Sequence, residues 1–78
     1  MTVTPEAIRE TLVQMIVGAA GGDEQHWRAA IGEVEELSLT MNPAGNWRVT
    51  PSGTKRGREV IEAAVKLVKE AHPYALPR

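Results

Sequence analysis

Residues 46–58 read Asn46-Trp-Arg-Val-Thr-Pro-Ser-Gly-Thr-Lys-Arg-Gly-Arg58, and this stretch decides how the rest of the chain is interpreted. Its first half alternates polar and apolar side chains, as a half-buried strand does. The proline that follows cannot donate a backbone hydrogen bond to a strand ladder, so it ends the strand. Ser52 or Thr54 then offers a hydroxyl that caps a helix. The stretch predicts a strand at 46–50 that leads into a helix at 54–71.

A turn motif, Asn42-Pro43-Ala44-Gly45, comes directly before this strand. Proline presets the first central dihedral angle of a type I turn, and glycine supplies the left-handed residue that closes a three-residue hairpin loop. In that register Met41 faces Trp47 and Leu39 faces Val49, so the apolar side chains of both strands share one face. We therefore expect a β-hairpin with strands at 34–41 and 46–50.

A different interpretation of the middle of the chain stays open at this stage. Trp27, Ile31, Val34, Leu37 and Met41 also fit helical spacing approximately, which allows one long helix over 24–40 and a three-helix bundle. A glycine in the middle of that helix would cost about 1 kcal/mol relative to alanine. The turn chemistry and the strand alternation require the same register, so we favour the hairpin.

The N-terminal part of the chain predicts a helix at 5–19. Thr4 is a good N-cap residue, and Pro5 is favoured at the first helical position because its missing N–H has no partner there. Val3 and Ile8 occupy the two positions that a hydrophobic staple joins across such a helix start. Apolar residues then recur at helical spacing, and they form a stripe wide enough for contacts on more than one side.

A glycine pair ends the first helix, and Asp23 caps a short second helix at 24–31. The last helix stops before Pro73, and the apolar tail 73–78 is expected to fold back over the core. These elements predict one small α+β domain over residues 1–78. Its order is helix, short helix, hairpin, helix, with two layers in which the helices cover one face of the hairpin.

Composition narrows the class of protein. The chain has 78 residues, no cysteine and no phenylalanine, so its core is thin and mostly aliphatic, with Trp27 and Trp47 as the largest anchors. It contains no secretory signal pattern and no apolar run long enough to span a membrane. We expect a soluble, cytoplasmic protein without a membrane role. Residues 23–45 carry a net charge of −4 and residues 46–78 carry +4. The two halves either face each other or are solvated, or they form a bipolar surface that steers partners.

Motifs that carry catalysis or bind a cofactor do not stand out in the sequence. His26 and His72 are the only imidazoles, and they lack the paired spacing of zinc-binding helices. Ser52 lies in no nucleophile elbow, and Gly53-Thr54-Lys55 has the wrong order for a phosphate loop. We therefore expect no enzyme activity, no metal and no cofactor.

The basic start of the last helix is the one candidate binding site. Free N–H groups at a helix start attract anions, and cations placed at that end are locally unfavourable unless an anion binds. An arginine on the exposed face of the preceding strand extends the positive surface. The candidate anion ligands are Arg48, Ser52, Gly53, Thr54, Lys55, Arg56 and Arg58.

Two functional classes follow from these features. The leading hypothesis is a non-enzymatic protein-interaction module that self-associates, because an isolated two-stranded hairpin is marginal and leaves unpaired edges. A symmetric homodimer that joins the hairpins edge to edge into four strands would cover them. The alternative is anion or nucleic-acid binding through residues 52–58, although a pI of about 6.1 argues against a general nucleic-acid role. A small enzyme without a recognisable motif is a distant third.

Overall fold

Three helices and one hairpin make up residues 4–43 and 45–75, which are the residues that the structure, a computed structural model, describes. In chain order they are α1 (Pro5–Ala20), α2 (Glu24–Ile31), β1 (Glu35–Glu36), β2 (Trp47–Arg48) and α3 (Lys55–Ala71). The α+β fold class and the predicted order of elements are confirmed. A helix over 24–40 is wrong, because α2 ends at Gly32, whose positive φ of 69° no helix continues.

Hydroxyl and carboxylate caps begin all three of these helices, as the sequence predicts. The Thr4 hydroxyl accepts a hydrogen bond from the Ala7 N–H (3.2 Å), and the Asp23 carboxylate accepts one from the Gln25 N–H (3.0 Å). Each cap satisfies a backbone N–H that has no partner inside its helix, which is worth about 1 kcal/mol. Val3 of the predicted hydrophobic staple lies outside the described residues.

The core lies where the helices pack on the face of the hairpin that carries Trp47. This side chain is fully buried, and its indole Nε1–H donates to the His72 carbonyl (2.8 Å), so its role as a core anchor is confirmed. Trp27 is only half-buried and packs against the core from α2. The buried apolar residues are Ile8, Leu12, Val13, Ile16, Ile31, Val34, Trp47, Ile61, Ala64, Val68 and Ala75.

The hairpin pairs in a register that differs from the predicted one. Glu36 faces Trp47, where the turn chemistry predicts Met41 in that place. The ladder covers two residues in each strand, shorter than the predicted 34–41 and 46–50. The predicted register is therefore wrong, and a longer connection joins the strands.

This connection forms a turn of its own. The Asn42 backbone N–H and the Asn42 side-chain amide both donate to the Ser38 carbonyl, at 2.8 and 3.0 Å. Leu39 and Met41 consequently point outward and are 53% and 79% exposed, so the prediction that they face the core is wrong. Ala44, in the middle of the predicted loop, lies outside the described residues.

Contacts of Asn46 explain why the predicted register is not adopted. Its backbone carbonyl accepts from the Leu37 N–H (2.6 Å), whereas its backbone N–H donates to the Pro73 carbonyl (3.2 Å). The residue is thus held between the first strand and the C-terminal tail. Both of its backbone groups have these partners, so Asn46 cannot also pair with Asn42 as a tight hairpin loop would require.

The tail folds back onto the hairpin over residues 73–75, as predicted, and 76–78 lie outside the described residues. Ala75 is buried, with 4% of its surface exposed. The Tyr74 hydroxyl donates to the Pro43 carbonyl at 2.5 Å. These contacts connect residues 73–75 to the connection before β2 and complete the core on that side.

Helices α1 and α2 are joined by a network around Arg28. Its guanidinium forms a two-bonded ion pair with the Glu10 carboxylate, with N–O distances of 2.7 and 2.9 Å. Arg9 donates to the Arg28 carbonyl at 2.9 Å. The hydrogen bonds from Arg28 lower the pKa of Glu10, and the Glu10 carboxylate raises the pKa of Arg28. The pair therefore links α1 to α2 on their exposed side.

None of the three helices in residues 4–43 and 45–75 combines the length and the apolar composition that crossing a bilayer requires.

Candidate functional site

The basic helix start has an internal cap. The Thr54 hydroxyl accepts from the Gly57 N–H at 3.1 Å, which satisfies one of the N–H groups that an anion would otherwise find free. A side chain at Gly57 would approach this hydroxyl to 3.1 Å, so glycine leaves room for the cap. Thr54 and Gly57 therefore build the first turn of α3 from within the chain.

Ser52 is also used internally. Its backbone N–H donates to the Ala30 carbonyl at 2.9 Å, and its hydroxyl lies 3.4 Å from the same oxygen. The contact connects the loop before α3 to the last turn of α2. Gly53 follows with a φ of 101°, a backbone conformation that L side chains rarely adopt. The serine therefore positions the loop.

Arg48 pairs within the hairpin, away from the other candidate ligands. Its guanidinium contacts the Glu35 carboxylate at 3.1 and 3.2 Å, directly across the strand pair. Both side chains are about half exposed, so the ion pair contributes at most about 1 kcal/mol. The structure does not show Arg48 joining the cations of α3.

Lys55, Arg56 and Arg58 are exposed, and in the described part of the chain none of them takes part in an ion pair. Arg56 lines a cavity of about 540 Å³ together with Ala19 and Ala20 from the end of α1. His26, Trp27, Thr54, Gly57 and Val60 complete its lining. The cavity is therefore a meeting point of three helix ends.

This arrangement supplies a structural reason for cations at the start of α3. The last turn of α1 carries no basic residue to offset the negative end of its dipole. Arg56 lies beside that turn, because it shares a cavity with Ala19 and Ala20. The negative end of the α1 dipole therefore favours a cation in this cavity. Anion binding by Arg48, Ser52, Gly53, Thr54, Lys55, Arg56 and Arg58 stays a prediction.

An apolar groove runs between α1 and α3. It has a volume of about 330 Å³, near the lower end of the range for ligand sites, about 300–1,000 Å³. Alanines make up half of its lining. We call it the α1–α3 groove; its lining residues are Met15, Ile16, Ala19, Ala20, Val60, Ala63, Ala64 and Leu67.

Leu67 is the large side chain that the groove leaves in solvent, with 57% of its surface exposed. Ala63, one turn earlier, is exposed as well, and Val60 is half-buried. Positions 60, 63 and 67 follow the three-and-four spacing of residues that form one stripe on a helix. The apolar groove therefore continues onto the outer surface of α3.

Residue type alone does not distinguish the side chains that line this groove from those of the core. Val60 and Leu67 are indistinguishable by type from the core residues Ile61 and Val68, because all four are aliphatic. Only the direction in which α1 packs decides which of them are covered. The small side chains of Ala19, Ala20 and Ala63 are the sequence feature that indicates the groove. Two helices that approach closely favour small side chains at their contact.

The described residues hold no group of three histidine, cysteine, aspartate or glutamate side chains placed to bind a metal ion. His26 instead packs edge-on against Trp27, with 5.4 Å between the ring centroids. Three further large apolar side chains are exposed on the connection before β2 and on the tail, namely Leu39, Met41 and Tyr74.

Comparisons with protein-family models, with curated proteins and with solved structures found no match to this chain.

Proposed function

We propose that this chain is a non-enzymatic protein-interaction module that self-associates through the α1–α3 groove. The observation that carries the proposal is Leu67, a large aliphatic side chain that is 57% exposed beside a groove lined almost wholly by apolar atoms. Contiguous apolar surface of this kind marks interaction sites when polar residues surround it. The polar border is present here as Lys55, Arg56 and Glu59, which line an adjoining cavity with Val60 and Ala63.

A second copy of the chain is large enough to cover this groove. The interface of a stable dimer buries about 800 Å² per partner. The chain exposes 5026 Å², so such an interface would cover roughly a sixth of its surface. Helix α3 has 17 residues and a length of about 25 Å. Covering it would enlarge the thin core of a small domain.

The hairpin edges are less suited to self-association than the groove is. The start of β2 is already bonded to the tail, through Asn46 with Pro73 and Ala75. The other edge belongs to β1, whose residues are Glu35 and Glu36. Pairing two copies of β1 would place glutamates opposite glutamates, and like charges directly opposite each other destabilise a strand pair. The groove is therefore preferred over the edge-to-edge dimer.

Sedimentation equilibrium over a concentration series tests the proposal, with Leu67→Glu compared against Met41→Glu. Both substitutions place a carboxylate on an exposed apolar side chain, and Met41 is the more exposed at 79%. Only Leu67 lies in the groove, so we expect Leu67→Glu to weaken the dimer at least about tenfold, as loss of a central apolar contact does. Met41→Glu should leave the dimerisation constant unchanged.

A wild-type chain that stays monomeric at the highest concentration would overturn self-association. Equal weakening by the two substitutions would instead show that the groove is not the surface used.

Anion binding at residues 52–58 is the second candidate function. It is supported by Lys55, Arg56 and Arg58, which are exposed and form no ion pair in the described residues. It is weakened by the internal hydrogen bonds of Ser52 and Thr54. Titration of the chain with inorganic phosphate and with a single-stranded oligonucleotide at low salt tests it. Binding that is lost in Arg56→Ala/Arg58→Ala and falls with salt would support it, and no binding would remove it.

A further inference from the structure

The outer surface of α3 carries a regular pattern of charge around its apolar stripe. Arg56, Ala63 and Glu70 lie seven residues apart, so they occupy the same face two turns from one another. Val60 and Leu67 fill the positions between them, which completes the three-and-four spacing of a coiled-coil seam. All five side chains are exposed or half-buried. The stripe is therefore basic at its start, apolar in its middle and acidic at its end.

A second pair of charges borders the same stripe. Glu59 and Lys66 are both exposed and lie on one side of the seam, one on each side of Ala63 along the helix. Their order is acidic then basic, the reverse of Arg56 and Glu70. In the described part of the chain none of these four side chains forms an ion pair. Lys69, in contrast, lies over the Trp47 ring at 5.1 Å and does not border the seam.

We propose that the second copy docks with its α3 antiparallel to the first, about a two-fold axis beside Ala63. This inference rests on the proposed function, since it names how the α1–α3 groove is filled. Arg56 lies seven residues before Ala63 and Glu70 seven residues after it, about 10 Å in each direction. An antiparallel partner therefore brings its Glu70 opposite Arg56, and the symmetry repeats this contact.

The same register pairs the other two charges. Glu59 and Lys66 lie four residues before and three residues after Ala63, so the antiparallel arrangement places Glu59 within one residue, about 1.5 Å along the helix axis, of Lys66 of the second copy. Val60 meets Leu67 of the second copy in the middle of the seam. Ala63 meets its own symmetry mate, and the small side chain allows the helices to approach closely. Four ion pairs flank one apolar centre.

Three alternative registers lack this complementarity. A parallel pair of α3 helices would put Arg56 beside Arg56 and Glu70 beside Glu70. An antiparallel pair shifted by four residues in one direction would bring Arg56 opposite Lys66, and the same shift in the other direction would leave Arg56 without an acidic partner. Like charges in close contact are unfavourable by amounts similar to the gain from opposite ones. The antiparallel register centred on Ala63 is thus favoured over these three.

Charge exchange between copies tests the register. In Arg56→Glu, each homodimer would hold glutamate against Glu70, and in Glu70→Arg it would hold Arg56 against arginine. A mixture of the two variants restores both opposite-charge contacts, but only in the heterodimer. We expect each variant alone to dimerise on the order of tenfold more weakly than wild type, and the mixture to form the heterodimer preferentially.

The variants are suited to this test because both favour the helix itself. A glutamate at the start of α3 and an arginine near its end complement the helix dipole, so neither substitution should unfold the chain. Circular dichroism of each variant would check that the helices are retained. Arg58→Glu mixed with Glu62→Arg is the matched control, since these exposed residues lie off the seam, and this mixture should show no preference for the heterodimer.

Native mass spectrometry of the mixtures, with one variant isotopically labelled, counts homodimers and heterodimers. Preferential heterodimer in the first mixture and statistical mixing in the control support the register. Statistical mixing in both, with Leu67→Glu still monomeric, would overturn the register and leave the groove as the interface. Monomeric wild-type chain would remove the register and the proposed function together.

Discussion

The side-chain amide of Asn46 bonds to both backbone groups of Ala75. The amide nitrogen donates to the Ala75 carbonyl at 2.9 Å, and the amide oxygen accepts from the Ala75 N–H at 2.6 Å. Both residues are buried, with 9% and 4% of their surface exposed. One polar side chain thus forms the two hydrogen bonds that the backbone of a neighbouring strand would form. These bonds hold the C-terminal tail against the hairpin.

Asn46→Ala should destabilise the chain by about 2–4 kcal/mol, because it leaves a buried N–H and a buried carbonyl without partners. Urea unfolding monitored by tryptophan fluorescence measures the change. Asn42→Ala is the control: its amide bonds only to the exposed Ser38 carbonyl, so we expect a loss below about 1 kcal/mol. Equal losses in the two variants would contradict the role assigned to Asn46.

The contrast between the helices and the hairpin shows what a sequence can reveal. Thr4 and Asp23 cap helices through contacts with residues two or three positions away, so local chemistry is enough to predict them. The hairpin register depends on Asn46 and Ala75, which are 29 residues apart. The turn motif around Pro43 favours a tight three-residue loop by local chemistry, but the observed register is different. A distant tail competes with that loop for the same backbone groups.

Gly32 and Gly18 separate the conformational role of a glycine from its packing role. At both positions an added methyl group would meet no atom within 4 Å. Gly32 has a φ of 69° and a ψ of −149°, a region that other residues avoid at a cost of about 1–3 kcal/mol, whereas Gly18 lies within α1 at a negative φ. We expect Gly32→Ala to destabilise by about that amount.

Gly18→Ala, in contrast, should stabilise the chain by about 0.5–1 kcal/mol, because alanine loses less conformational freedom in a helix. Thermal unfolding of the two variants side by side provides the measurement. A Gly32→Ala protein as stable as wild type would show that α2 does not end in this conformation.

The Glu10–Arg28 ion pair predicts how stability depends on pH. The hydrogen bonds from Arg28 lower the pKa of Glu10, so the unfolded chain takes up this proton at a higher pH than the folded chain. The contribution of the pair is therefore fully present above the unfolded pKa and is lost as the pH falls below about 4. Glu10→Gln should flatten the acid side of the stability profile.

Denaturant titrations at pH values from neutral to acid compare wild type, Glu10→Gln and Glu62→Gln. Glu62 is exposed and has no ion pair in the described residues, which makes it a matched control. An acid profile unchanged in Glu10→Gln would mean that the pair does not couple α1 to α2.

The candidate site was partly predictable for a related physical reason. The cations of α3 are visible in the sequence, but their surroundings are not. Arg48 proves to be paired with Glu35 because the hairpin register places them opposite each other, and that register is set by the tail. Arg56 lies beside the end of α1 because of how the two helices pack. The sequence shows which side chains could bind an anion, whereas the contacts that these side chains make inside the protein depend on the fold.

Leu67 and Ile61 are both aliphatic residues of α3, yet truncating each to alanine should change the stability of the monomer by very different amounts. Ile61 is fully buried, so Ile61→Ala should destabilise the monomer by about 2–5 kcal/mol. Leu67 is 57% exposed, so Leu67→Ala should change monomer stability by less than about 1 kcal/mol.

If the α1–α3 groove binds a second copy, the melting temperature of wild type must rise with protein concentration, because association stabilises the folded state. Leu67→Ala should lose this concentration dependence while keeping the melting temperature of the dilute protein. A Leu67→Ala variant whose melting temperature still rises with concentration as wild type does would separate Leu67 from the interface.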